Sequence, residues 1–114
     1  MKKKQIVKVY GGLGNQLFQY SFALYLKKKK KKEVLLDTNE FNYVKHHSGL
    51  ELNKLIHNEF SSISFIKHLK YRISKSLYKY KFYKQEMSDV NKLPSIEEFE
   101  NVEYFDGYWQ TYSM

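Results

Sequence analysis

Residues 5–26 have the sequence QIVKVYGGLGNQLFQYSFALYL, and this stretch decides the fold class of the chain. Its first six residues are mostly β-branched or aromatic and stop at Gly11 and Gly12, which predicts a strand that ends in a tight turn. Beyond Gly14 the apolar residues change to the spacing of a helix. They form a stripe of Phe18, Phe22, Tyr25 and Leu26, widened by Leu17, Ala23 and Leu24. We therefore expect a strand, a glycine-rich turn and a largely buried helix.

A second strand is predicted at residues 33–37, EVLLD, directly after a run of six lysines at 27–32. The helix is expected to end within that run, where cations interact favourably with the negative end of the helix dipole. A strand, a helix and a strand in this order predict a right-handed crossover and parallel pairing. The fold class is therefore α/β with a parallel sheet.

The remaining chain is predicted to add three helices and a strand. A short helix is expected at 50–56, an amphipathic basic helix at 66–80, a turn at Pro94 leading to a brief acidic helix, and a strand at 101–109 that turns at Asp106 and Gly107. The apolar stripe of the basic helix is expected to pack on the sheet; it consists of Ile66, Leu69, Ile73, Leu77 and Tyr80. No repeat or Gly/Ser-rich linker divides the sequence, so residues 1–114 are expected to form one domain.

The net charge of +8 is concentrated in two lysine tracts at 2–4 and 27–32, and the rest of the chain is close to neutral. Because Arg72 is the only arginine, bidentate recognition of phosphates is poorly supported, and nucleic acid is disfavoured as a partner. The chain has no cysteine, which excludes disulfides and thiol chemistry. A small basic α/β module that binds nucleic acid or an anionic membrane through its lysines stays open as the alternative function.

Chemistry is indicated chiefly at the glycine-rich turn. Gly11, Gly12 and Gly14 allow close approach of a ligand to the backbone, and the start of a helix favours an anion there. Asn15 and Gln16 add amide groups suited to phosphates or sugar hydroxyls, although the glycines could also serve only a tight turn. The P-loop pattern fails because Asn15 and Gln16 stand where it requires Lys and Ser or Thr. A dinucleotide fingerprint matches in part, with Leu17 at its third glycine position and Asp37 placed for a ribose.

Other residues are weaker candidates. His46 and His47 lack a third ligand at a recognisable spacing, so no metal site is predicted. His57 and His68 are expected at the surface. Tyr108 and Trp109 follow the last predicted strand, where clefts form in α/β folds, and they are the candidates for sugar contact, with core packing as the alternative.

Three segments resemble the bacterial α-1,2-fucosyltransferases of glycosyltransferase family eleven. The first is residues 9–20, VYGGLGNQLFQY, which is similar to the opening of that family. The second is LLDT at 35–38 followed by HSGLEL at 47–52, and the third is the aromatic segment YFDGYWQ at 104–110. Together they span nearly the whole chain.

The resemblance implies an enzyme that transfers fucose from GDP-fucose to the 2-hydroxyl of a galactose-containing acceptor, with inversion and without a metal or other cofactor. It implies a two-lobed GT-B fold of Rossmann-like halves and a role in cell-surface glycans such as O-antigen. The loop of Gly11, Gly12, Gly14, Asn15 and Gln16 would border the cleft, with Asn15 as the catalytic residue that stabilises charge on the departing phosphate. A cytoplasmic location is expected, at the inner face of the bacterial membrane.

One motif of the family does not occur in the 114 residues. Its members carry a His-x-Arg-Arg-x-Asp motif whose arginines bind the GDP-fucose phosphates, and the surroundings of Arg72 do not match it. The sequence is therefore expected to form the N-terminal lobe alone, without the C-terminal lobe that holds most of the nucleotide. That lobe would be its partner, and the isolated chain is expected to be inactive.

Overall fold

The computed structural model describes residues 4–30, 33–43, 49–74, 82–84, 102–107 and 109. In chain order the elements are β1 (Lys4–Lys8), α1 (Leu13–Lys30), β2 (Glu33–Asp37), a 3₁₀ turn (Asn39–Asn42), α2 (Leu52–Leu55), α3 (Phe65–Ser74), β3 (Phe82–Lys84) and β4 (Tyr104–Asp106). The predicted helix after Pro94 and the residues His46, His47 and Tyr108 lie outside this part of the chain.

The four strands form one sheet in the order β2-β1-β4-β3, and every neighbouring pair is parallel. Ile6 of β1 pairs with Leu35 of β2 on one side and with Tyr104 of β4 on the other. Since the strands are parallel, their carboxyl ends lie along the same edge. The predicted α/β class with a parallel sheet is confirmed, and the arrangement is compatible with a Rossmann-like fold.

Side chains alternate between the two faces of the sheet along each strand, so each face has its own hydrophobic core. The two cores differ in size. Val7 and Phe105 face α1 and belong to the main hydrophobic cluster, together with Phe22 and Leu26. Ile6 and its neighbours on the opposite face belong to a smaller cluster, on which α3 packs through Tyr71. The opposite face therefore leaves room for polar groups near the strand ends.

Helix α1 has the predicted position and buries most of the predicted stripe, including Phe22 and Leu26, but Phe18 lies outside the buried face. Phe18 is 40% exposed, whereas Gln16 and Gln19 are fully buried beside Phe22. The expectation that Phe18 packs in the core was wrong because the two glutamines occupy the inward positions, where they bond to neighbouring backbone. Lys27–Lys30 form the last turn of the helix, and the Lys27 ammonium lies 3.3 Å from the Glu59 carboxylate.

Helix α3 is turned the opposite way from the prediction. Ile66 is 80% exposed and Ile73 is 72% exposed, while His68 is buried and Tyr71 is half-buried against the sheet. The buried carboxylate of Asp37 ends β2 beneath α3 and requires hydrogen-bonding partners. The helix therefore turns His68 inward and leaves an apolar stripe outside. In the part of the chain that is described, no helix has the length and apolar character needed to cross a membrane.

Candidate functional site

The glycine-rich turn joins the carboxyl end of β1 to the start of α1, on the edge where the strands end. Gly11 has φ +82°, a left-handed conformation that other residues rarely adopt. A Cβ atom at Gly11 would also lie 3.0 Å from Nδ2 of Asn15, so the Asn15 side chain covers the position. Gly11 is therefore required by the turn itself.

Gly14 differs from Gly11 because none of the described residues outside its own turn of helix comes close to it. It lies in the first turn of α1 and is exposed, and apart from its chain neighbours and the backbone of α1 no described atom lies within 4 Å of the position that a Cβ would take. Next to it, Asn15 is half-buried. The open space beside Gly14 can admit a ligand close to the backbone at the start of the helix.

The two glycines give opposite stability predictions. Gly14→Ala should raise the free energy of unfolding by about 0.5–1 kcal/mol, since alanine is the better helix former and meets no neighbour. Gly11→Ala should lower it by about 1–3 kcal/mol through the left-handed backbone and the Asn15 contact. Urea unfolding of both variants checks the pair, and equal effects would contradict this description of the turn.

The side chain of Gln16 holds the glycine-rich turn in place through its hydrogen bonds. Its Nε2 donates to the carbonyls of Gly11 and Gly49, both at 2.9 Å, and its Oε1 accepts from the backbone N–H groups of Glu51 and Leu52 at 3.0 and 3.1 Å. These four bonds use every hydrogen-bonding position of the amide. The side chain was predicted to contact substrate, but the structure buries it completely and gives it a structural role.

Gln19 also forms hydrogen bonds at the edge where the strands end, although it was not among the predicted site residues. Its Oε1 accepts from the N–H of Tyr10 at 2.9 Å, and its Nε2 donates to the carbonyl of Gly107 at 3.0 Å. It therefore ties the end of β1 to the end of β4. The sequence carried one signal for this role of Gln19. It stands three residues after Gln16, and that spacing places both amides on one face of α1.

Trp109 is brought to the same edge, but its ring faces the core. The side chain is fully buried, and the ring stacks on Phe22 with 3.9 Å between centroids and 7° between planes. Tyr83 lies against it at 5.7 Å. The ring that was predicted to contact a sugar is thus occupied by core packing, which was the stated alternative.

Asp37 is the last residue of β2, and its carboxylate accepts several hydrogen bonds on the α3 face of the sheet. Its Oδ1 accepts from the backbone N–H and the side-chain amide of Asn39 at 3.0 and 2.9 Å. Its Oδ2 accepts from the hydroxyl of Tyr104 and from Nδ1 of His68, both at 2.5 Å. Burial opposes the charge of Asp37, but the bonds from His68, Tyr104 and Asn39 outweigh it and hold the pKa of the carboxyl below its ordinary value.

These contacts change the interpretation of two residues. Both oxygens of Asp37 are used internally and the side chain is 1% exposed, so the carboxylate is not presented to a ribose as the dinucleotide pattern would require. His68 was predicted at the surface, and that prediction was wrong, because its ring is buried between Asp37 and Tyr43. Burial raises the pKa of Tyr104, as does the Asp37 charge, which keeps the hydroxyl protonated as a donor.

A hydrogen-bonded chain continues from Asp37 to the surface. His68 Nε2 lies 2.6 Å from the Tyr43 hydroxyl, and Arg72 donates to the same hydroxyl at 2.8 Å. His68 therefore bridges the Asp37 carboxylate and the Tyr43 hydroxyl through its two ring nitrogens. The exposed phenol of Tyr43 is therefore held in a fixed orientation by two partners.

A cavity of about 390 Å³ opens above this chain, on the α3 face of the sheet. The strand ends contribute Lys8 and Asp106, the 3₁₀ turn contributes Glu40, and α3 contributes Arg72 and Tyr71. The Lys8 ammonium lies 2.7 Å from Glu40 and 3.7 Å from Asp106. Burial lowers the pKa of Lys8, but these two carboxylates outweigh it and raise the pKa above its ordinary value, so the ion pairs persist.

The cavity and the glycine-rich turn both lie near the end of β1, since Lys8 lines the cavity and stands three residues before Gly11. The Lys8 ammonium lies 4.5 Å from the centre of the Tyr10 ring, and Tyr10 directly precedes Gly11. The switch in strand order, where β1 has β2 on one side and β4 on the other, falls at the same place, and open α/β sheets bind ligands at such points.

Within the described ranges, no group of three or more His, Asp or Glu side chains is placed to hold a metal ion. Comparisons of this chain with family models, with curated proteins and with solved structures found no match.

Proposed function

We propose that this chain is the glycine-loop lobe of an inverting α-1,2-fucosyltransferase with a GT-B fold, acting on cell-surface glycans. The observation that carries the proposal is the turn of Gly11–Gln16 at the carboxyl end of β1, whose sequence resembles that family. Gly14 supports it because its open space has no purpose in packing. The parallel sheet and the switch in strand order support it as well, since they define where such folds bind ligands.

The proposed reaction is a direct displacement. The acceptor hydroxyl attacks C1 of fucose, the bond from C1 to the GDP oxygen breaks, and the hydroxyl proton passes to a base. Asn15 would donate its amide N–H to the departing phosphate or to the fucose ring, which stabilises the charge that develops there. Gln16 and Gln19 act on this site indirectly because their bonds fix the loop and the strand ends.

Asn15→Ala should weaken the binding of GDP-fucose to this chain about tenfold, which is the loss expected for a hydrogen bond to a charged group. Ligand-observed NMR measures the affinity. We expect weak binding to the wild-type chain, with the strongest saturation transfer at the fucose protons, because the other lobe of such enzymes holds most of the nucleotide.

The matched control is Asn53→Ala, which removes an exposed asparagine on α2 and should leave the affinity unchanged. Thermal unfolding of both variants shows whether they fold. Equal affinity in the wild type and Asn15→Ala would contradict the role given to Asn15, and absence of any GDP-fucose binding would contradict the proposed function.

The proposal also places the protein in the cytoplasm, against the inner face of the membrane. The outward stripe of α3 supports this, because Ile66, Leu69 and Ile73 are exposed next to Lys67 and Lys70. Apolar side chains flanked by cations are typical of helices that lie on anionic bilayers. The lysines at the end of α1 would add attraction to anionic lipids.

Ile66→Ser combined with Ile73→Ser should remove most binding to vesicles containing a quarter phosphatidylglycerol, since the two side chains supply most of the exposed apolar area of the stripe. Co-sedimentation at low and high salt measures the effect. The control is Leu24→Ser on α1, another exposed apolar residue away from α3. Binding that is unaffected by the double substitution would contradict the membrane contact.

A further inference from the structure

We propose that the cavity between α3, the 3₁₀ turn and the ends of β1, β3 and β4 binds a neutral pyranose ring, oriented by the Tyr43 hydroxyl and the Arg72 guanidinium. This inference rests on the proposed function, in which that ring would belong to the acceptor. The glycine-rich turn would contact the donor, whereas this cavity would hold the acceptor.

The size and walls of the cavity fit one or two sugar rings. Its volume of about 390 Å³ lies toward the small end of ligand pockets, which span about 300–1,000 Å³. One wall is aromatic: Tyr71 lies 5.3 Å from Tyr104 and 6.0 Å from Phe82, measured between ring centres. Burial raises the pKa of Tyr71, with a further contribution from Glu103, so the phenol stays neutral. Neutral aromatic surface can pack against the C–H face of a sugar.

The charges of the cavity disfavour an anionic ligand. Lys8 is paired with Glu40 and Asp106, and the two carboxylates outnumber the one ammonium at that end. The Arg72 guanidinium at the other end already donates to Tyr43. A phosphate would therefore meet as much negative as positive charge. Hydroxyl groups, in contrast, can donate to the carboxylates and accept from Arg72.

The Tyr43 hydroxyl gives the cavity an oriented polar group. Asp37 fixes the His68 ring, the ring is hydrogen-bonded to the Tyr43 hydroxyl, and Arg72 donates to the same oxygen. The one hydrogen-bonding position that the phenol has left is thereby aimed in a set direction and can bond to a sugar hydroxyl, which both donates and accepts. Asp37 and His68 are positioning residues here, because they act through Tyr43.

Methyl β-galactoside tests the assignment on the 114-residue chain, with GDP-fucose and methyl phosphate as comparison ligands in ligand-observed NMR. Tyr43→Phe should weaken galactoside binding about fivefold, the loss expected for a neutral hydrogen bond, and Arg72→Gln about tenfold, because the guanidinium is charged. Neither variant should change GDP-fucose binding. Both side chains are exposed, so the variants should fold. Tyr25→Phe on α1 and Lys70→Gln on α3 are the controls, and neither should change galactoside binding.

The outcomes separate this inference from the proposed function. Galactoside binding that depends on Tyr43 and Arg72, without any binding of GDP-fucose, would support the cavity and contradict the fucosyltransferase proposal. Binding of GDP-fucose that depends on Asn15, without galactoside binding, would overturn the cavity and leave the proposed function standing. Galactoside binding that is as strong in both variants as in the wild type, or methyl phosphate binding that either variant weakens, would also overturn it.

Discussion

Trp109→Ala should destabilise the chain more than any other single change, lowering the free energy of unfolding by about 3–5 kcal/mol. The indole is fully buried and stacked on Phe22, and its removal leaves a cavity in the main core. The backbone at Trp109 has φ 60°, which bulky residues rarely adopt, so burial of the ring must offset local strain. For a domain whose total stability is about 5 kcal/mol, the lower end of the usual range, a loss of this size leaves a substantial unfolded population.

Chemical unfolding followed by circular dichroism measures this loss. Phe18→Ala is the control, since it truncates an aromatic side chain that is 40% exposed on α1 and should cost well under half as much. A small effect of Trp109→Ala would show that the ring is not packed in the core, and it would restore Trp109 as a candidate for sugar contact.

Asp37→Ala should have the second largest effect, with a loss of about 3–5 kcal/mol. It removes the acceptor of four hydrogen bonds and leaves the His68 ring and the Tyr104 hydroxyl without that partner in a buried site. Glu59→Ala is the control, because it removes an exposed carboxylate whose ion pair with Lys27 should contribute at most about 1 kcal/mol. Equal effects of the two substitutions would contradict the central position of Asp37.

The same carboxylate predicts a pH dependence. The pKa of Asp37 is lower in the folded chain than in the unfolded chain, so its contribution to stability is complete above the ordinary value of about 3.9. The contribution is lost as the pH falls from that value through the folded pKa. The stability of the wild type should therefore fall more steeply than that of Asp37→Asn below about pH 4. Parallel curves for the two proteins would contradict the lowered pKa.

Local signals predicted much of the fold. The strand, glycine turn and helix of residues 5–26 gave β1 and α1, and the segment 33–37 gave β2 with its bounds and its parallel pairing. Strand β3 was not predicted because Phe82–Lys84 is only three residues long and closely follows the stretch assigned to the basic helix, although residues 78–82, YKYKF, alternate as a strand does. Its pairing with β4 depends on contacts that no local pattern encodes.

The orientation of the helices could not be predicted from apolar periodicity. For α3 the apolar stripe points outward, because the buried Asp37 carboxylate at the end of β2 lies beneath the helix and bonds to His68. For α1 the two glutamines displaced Phe18 from the inward face because they bond to distant backbone. In both helices, hydrogen bonds over long sequence separations outweighed the burial of apolar surface.

The candidate site, like the fold, was predictable from the sequence only in part. The glycine-rich turn was predictable, since its residues are contiguous and glycine has a direct conformational meaning. The cavity was not, because Lys8, Tyr43, Arg72 and Asp106 come from four separate segments that meet only when the sheet forms. Gln16 was predicted as a ligand contact, but it bonds to Gly49 and to the start of α2, and the sequence gives no indication of either partner.

Amide chemical shifts test most directly whether the turn of Gly11–Asn15 contacts the donor sugar nucleotide. In a titration of the ¹⁵N-labelled chain with GDP-fucose, we expect the largest shift changes at the backbone amides of Gly11, Gly12, Gly14 and Asn15, with GDP-mannose causing smaller ones. Shift changes confined to other segments, or none at saturating GDP-fucose, would contradict that contact.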